Sequence, residues 1–136
     1  MAVRFNARSV VGTACFVLLI ALGGCGQSDE EEVRGTVVEF YDGLADRDGE
    51  RVCPKMEEDF REGLLEDIKE ISGFDTTCED FIDDPPSWLA KTLPRNPKVE
   101  NVDIDGDEAT ADVSGDNSRA EPELKKLEGE WRITEF

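Results

Sequence analysis

Two hydrophobic periods divide this chain. From Ser28 to about Gly73 apolar residues recur every three or four positions, and from Lys98 onward they alternate with polar ones. The first spacing puts side chains on one face of a helix, and alternation puts them on one face of a strand. Val33, Val37, Phe40, Tyr41 and Leu44 make the first helical face. Ser28 with Glu31 three residues on fits a capping box, and the acids Asp29 to Glu32 suit a helix N-terminus. This helix is expected to run to about Asp46 and to end in the turn-like Arg47-Asp48-Gly49. Glu50 to Cys53 can add a single turn, stopped by Pro54. Met56, Phe60, Leu64, Leu65, Ile68 and Ile71 form a second stripe, with Gly73 as its C-cap. Thr77 followed by Asp80 marks another helix start, whose apolar face is Phe81 and Ile82 and which breaks at Asp83-Asp84-Pro85-Pro86. Ser87 to Leu93 is expected to form one more short helix, ending at Pro94.

After Lys98 the period is two. Val102 and Ile104 alternate with Asn101, Asp103 and Asp105, and Ala109, Ala111 and Val113 alternate with Thr110 and Asp112. Asp105-Gly106 between them is a hairpin signal. A two-residue loop there pairs Val102 with Ala109 and Ile104 with Asp107, which puts the apolar residues of both strands on one face. Ser114 to Pro122 reads as a loop. A second hairpin is expected from Glu123 to Leu127, a turn at Glu128-Gly129, and a last strand with Trp131 and Ile133 on one face. Helices first and hairpins last describe an α+β domain, with helices on one face of an antiparallel sheet.

Ahead of these elements stands a different pattern. Arg4 and Arg8 charge the first segment, and an apolar run extends from Val10 to Leu22, broken only by Gly12 and Thr13. At about 13 residues the run is shorter than the roughly 20 that a spanning helix needs. Small residues then precede Cys25, as at a processing site. The two arginines are not adjacent, which speaks against a twin-arginine route. Leu22-Gly23-Gly24-Cys25 resembles the bacterial lipobox. That resemblance implies a signal peptide over residues 1–24, cleavage before Cys25, and a diacylglycerol on the Cys25 thiol, often with a further acyl chain such as palmitate on the new amine. The alternatives are an ordinary cleaved signal with an incidental cysteine and an uncleaved anchor. Two or more acyl chains hold a protein stably. The expected location is therefore the outer face of the cell membrane, with the membrane as a partner through the lipid. Residue 26 is Gly rather than Asp, unlike an inner-membrane retention signal, so a cell with two membranes could send the protein to its outer membrane. Residues 25–29 are then the lipidated cysteine and a short linker, and residues 30–136 one domain.

Charge narrows the partners. The chain carries −18, and losing residues 1–24 removes two arginines and no acid, leaving −20. Nucleic-acid phosphates and anionic headgroups repel such a surface, so nucleic acid is excluded as a partner and the lipid must hold the domain at the membrane. From Cys25 onward Leu, Ile, Val and Phe make up about a fifth of the residues, close to where high charge predicts disorder. Their strict periodicity argues for a folded domain with a small core. Cysteine parity supplies a staple for it. Cys15 falls in the signal and Cys25 takes the lipid, which leaves Cys53 and Cys78 as a pair in an oxidising compartment. A disulfide closing their loop of about 25 residues is worth roughly 3 kcal/mol in the chain-entropy account. Two buried free thiols are the alternative.

Within residues 30–136, Phe40-Tyr41-Asp42-Gly43-Leu44, Val102-Asp103-Ile104-Asp105-Gly106-Asp107 and Gly129-Glu130-Trp131-Arg132-Ile133 stand in an order similar to small secreted members of the nuclear-transport-factor-2-like superfamily. The resemblance implies a strongly curved C-terminal antiparallel sheet, with the N-terminal helices packed on one face to form a cone with a pocket. Candidate pocket or core residues are Phe40, Tyr41, Phe60, Val102, Ile104, Ala109, Ala111 and Trp131. Small Ala109 and Ala111 opposite large aromatics are expected to leave space between sheet and helices.

Candidate chemistry is sparse. There is no histidine, which removes imidazole catalysis and Cys-His or Ser-His pairs. Asp103, Asp105 and Asp107 form D-x-D-x-D, yet Glu108 and Ser114 stand where a calcium loop needs Gly and Glu. Asp46, Asp48 and Gly49 match no better. No metal and no cofactor is expected. Pro85-Pro86-Ser87-Trp88 is a candidate exposed rim. The expected function is non-catalytic binding of a small apolar ligand or an envelope protein. The alternative implied by the same superfamily is a small enzyme of polyketide-cyclase or ketosteroid-isomerase type, using a pocket carboxylate.

Overall fold

The computed structural model describes residues 28–136; the expectations for residues 1–24 and for lipidation of Cys25 lie outside the described residues. Ser28 caps the first helix, α1 (Asp29–Asp46), by accepting the Glu31 N–H at 3.3 Å. Val33, Val37, Phe40, Tyr41 and Leu44 are all buried, as their spacing requires. Arg47 ends the helix in the left-handed region, and the next N–H, of Asp48, bonds back to Gly43 at 2.9 Å. A short helix α2 (Gly49–Val52) runs into a 3-10 turn at Cys53–Lys55, where Pro54 stops it. Then come α3 (Glu58–Ser72), α4 (Cys78–Asp83) and α5 (Leu89–Thr92). Gly73 closes α3 with φ of 76°, and Thr77 caps α4 by accepting the Asp80 N–H at 3.1 Å.

The sheet is an antiparallel meander. Strands β1 (Lys98–Asp105), β2 (Glu108–Ser114), β4 (Glu123–Leu127) and β5 (Glu130–Glu135) lie in that order, and the two-residue β3 (Arg119–Ala120) pairs with the far end of β2. Two expectations are corrected here. Residues 114–122 are not all loop, because β3 extends the edge on which β4 also pairs, and between the two the Pro122 carbonyl still accepts the Ala111 N–H at 3.1 Å. The first hairpin turns at Gly106-Asp107, not Asp105-Gly106, and so pairs Ile104 with Ala109 and Val102 with Ala111. Gly106 takes the positive φ, 65°, at the first central position of the turn. The second hairpin turns at Glu128-Gly129 as expected, with φ positive at both.

Helix α1 crosses the sheet over β1, β2 and β5, and this contact makes the core. Ala109, Ala111, Val113, Leu124, Trp131 and Ile133 bury their side chains there. The fold is thus α+β, helices preceding an antiparallel sheet. A second brace ties α2 to α4. Cys53 and Cys78 form a disulfide with Cα atoms 6.1 Å apart, the Gly49 N–H donates to the Asp83 carboxylate at 2.8 Å, and Gly49 lies so close to Glu79 that a Cβ would sit 2.5 Å from its Cα. Only glycine fits at 49.

Candidate functional site

Helix α3 is the exception to the packing. Its stripe is the most regular in the chain, yet none of its residues is fully buried. The reason is where it starts. Met56 bridges to Ile133 on the free edge of β5, and the Glu57 N–H donates to the Ile133 carbonyl at 2.8 Å. The helix therefore departs from the edge of the sheet rather than crossing its face. Phe60 reaches back to Phe136, ring to ring at 5.7 Å, and Phe136 in turn meets Phe40 at 5.1 Å. Beyond that contact the stripe turns toward the arm formed by α4 and α5 without closing on it.

The result is an open groove of about 740 Å³, within the roughly 300–1,000 Å³ of ligand sites. Leu64, Ile68 and Ile71 of α3 form one wall, Phe81, Trp88 and Leu89 the other, and Tyr41 lies on its floor. Two of the lining side chains are large, apolar and exposed: Ile71 is 88% exposed and Trp88 63%. Contiguous exposed apolar surface of this kind marks interaction sites in soluble domains. Tyr41 is fully buried, its hydroxyl has no hydrogen-bond partner among the described residues, and burial holds its pKa well above the ordinary tyrosine value. The hydroxyl is thus neutral and sealed from solvent.

The charged residues bordering the groove are Asp67, Glu121, Glu135 and Arg119. The three acids are exposed, and among the described residues no buried side chain is a carboxylate. The acids elsewhere whose pKa shifts, Asp29 and Glu39, are both held below the ordinary value. Hydrogen bonds from Lys126 and Lys55 respectively are the main cause. No group of three potential ligands is placed to hold a metal among the described residues. Asp103 and Asp105 border a shallow polar hollow on the open face of the sheet.

Of the eight residues expected to line a pocket or core, Tyr41 and Phe60 border the groove. Phe40, Ala109, Ala111 and Trp131 are buried in the core, and Val102 and Ile104 are half-buried against it. The space expected opposite Ala109 and Ala111 is filled by α1; the opening lies at the side of the sheet instead. Sequence spacing put Leu64, Ile68 and Ile71 on one apolar stripe but not among the candidate pocket residues. The available signal was Ile71 and Phe74 flanking the Gly73 cap, where a helix end leaves little to pack against. Trp88 is exposed and lines the groove, while Pro85 and Pro86 beside it are half-buried. Comparison with protein-family models, curated proteins and solved structures found no match to this chain.

Proposed function

We propose that this is an exported, lipid-anchored envelope protein whose nuclear-transport-factor-2-like domain works by binding and not by turnover, with the α3 groove as its site. The supporting observation is the groove itself, an apolar trough of about 740 Å³ lined in part by the exposed Ile71 and Trp88. An enzyme of the cyclase or isomerase kind needs a carboxylate desolvated in its pocket, and the acids around this groove are exposed. The order of helices before an antiparallel meander supports the superfamily reading. The lipobox supports the anchor, and among the described residues no helix is long and apolar enough to cross a membrane.

The anchor and the groove have separate tests. Intact-mass analysis of protein extracted from membranes is expected to show a chain starting at Cys25 with added lipid mass. A soluble, unmodified chain, or a Cys25→Ser variant equally bound to membranes, would defeat the anchor. For the groove, a neutral brominated fatty alcohol is expected to quench Trp88 saturably, read as the difference between the chain and its Trp88→Phe variant. Ile68→Glu should weaken that binding about tenfold or more, since it sets a charge against the apolar wall. Ile68 is only half-buried, so the fold should tolerate the change. Quenching that is absent, or unaffected by Ile68→Glu, sinks the groove reading.

A further inference from the structure

We propose that the groove receives a cationic amphipathic helix from a protein partner, an inference that rests on the groove being a binding site. The first ground is charge. Asp67, Glu121 and Glu135 border the apolar trough against one arginine, Arg119. Glu58, Asp59, Glu62, Glu66 and Glu70 stand exposed along the same helix α3, and Glu79, Asp80, Asp83 and Asp84 along the facing arm. Against these acids stand Arg61 and Lys69 of α3, the latter engaged by Asp75 at 2.7 Å, and Lys91 of α5. With −18 on the whole chain, anything negative is repelled on approach, which disfavours fatty acids, phosphates and a second copy of this chain. A Lys- or Arg-bearing segment is instead steered toward the groove and held at its rim.

The second ground is shape. The trough is open along α3, a helix of 15 residues, about 22 Å long at 1.5 Å per residue. A helix of about four turns laid along α3 covers the whole trough, including the exposed Ile71 and Trp88 that line it. The bilayer is a poor occupant. The chain enters the domain at Ser28, and Tyr41 on the groove floor lies 13 residues along α1, about 20 Å up the helix axis from the tether.

The test uses the full-length chain in zwitterionic phosphatidylcholine nanodiscs, so that the lipid does not attract the probe. The probe is a tryptophan-free 14-residue amphipathic peptide of leucine and lysine, with a control in which every lysine is glutamine. The readout is the emission of Trp88, again as the difference from Trp88→Phe. The cationic peptide is expected to bind saturably, about tenfold more tightly than the glutamine control, and less so as salt rises. The double variant Asp67→Asn, Glu121→Gln should weaken it about three- to tenfold. Ile68→Glu should weaken it further although it adds negative charge, which separates docking in the groove from diffuse attraction to an acidic surface. Equal binding of the two peptides would overturn the cationic occupant and leave the groove reading standing. Cationic binding untouched by Ile68→Glu would overturn it too, as would sedimentation showing a dimer that buries Trp88. If neither peptide nor the brominated alcohol alters Trp88, the inference and the groove reading fall together.

Discussion

Phe40→Ala is expected to lower the thermal unfolding midpoint by about 15–30 °C. Phe40 is fully buried on α1 and holds edge-to-face contacts with Tyr41 at 5.3 Å and Phe136 at 5.1 Å. Removing a buried phenylalanine costs about 3–5 kcal/mol, because the lost transfer energy is joined by the cavity left behind. A domain of this size shifts by roughly 4–8 °C for each kcal/mol. The loss is a large share of the 5–15 kcal/mol that holds most small domains together. Phe40 also links the sheet to α3, since Phe136 lies between it and Phe60. The variant should therefore expose α3 to amide exchange before α1 opens. Ile71→Ala is the matched control: at 88% exposure it should change stability by no more than about 0.5 kcal/mol. Comparable melting of the two variants would show that the core is not centred on α1.

Removing the Cys53–Cys78 disulfide, by reduction or by the double change Cys53→Ala and Cys78→Ala, is expected to cost about 3 kcal/mol and a fall of roughly 10–20 °C. The bond closes a loop of 25 residues, and the whole of α3 lies inside that loop. No α3 residue is fully buried; besides the loop closure the helix is held by its start on Ile133, the Phe60–Phe136 contact and the half-buried Leu64, Leu65 and Ile68. Hydrogen exchange should accordingly rise most across residues 58–72 on reduction, with the strands protected until global unfolding. Ligand binding in the groove should fall with it, because one wall is α3 and the other, at Phe81, belongs to the helix that Cys78 opens. Uniform loss of protection across α1 and α3 would mean that the bridge steadies the whole domain instead of this wall.

Much of the secondary structure was legible from spacing and caps. Ser28 and Thr77 announce helix starts because a side-chain oxygen placed there can satisfy an orphan N–H wherever the helix later packs. The stripe through Val33 and Phe40, the pairing of the two cysteines and the Glu128-Gly129 turn likewise follow from local rules. The register of the first hairpin was misread. Moving the turn from Asp105-Gly106 to Gly106-Asp107 changes the pairing by two residues, and a shift of two leaves every apolar side chain on the same face. The hydrophobic pattern cannot distinguish those registers. The choice lies with the turn itself, where Gly106 takes the positive φ at the first central position and Asp105 stays in the strand, paired with Glu108. Strand β3 was missed for a related reason. Arg119-Ala120 carries no alternation of its own and is a strand only because the far end of β2 has an edge to pair.

The groove shows the same division. Periodicity assigns Leu64, Ile68 and Ile71 to one face of a helix, as it assigns Val33, Val37 and Phe40, and by sequence the two stripes are alike. In the fold α1 lies across the sheet and its stripe is sealed, while α3 leaves from the edge at Ile133 and its stripe stays half open. Spacing within one element, together with its caps and its cysteines, was enough to say which faces are apolar and where elements begin. Whether an apolar face closes or remains as a site depends on a second surface supplied from far along the chain, and only the tertiary structure brings the two together.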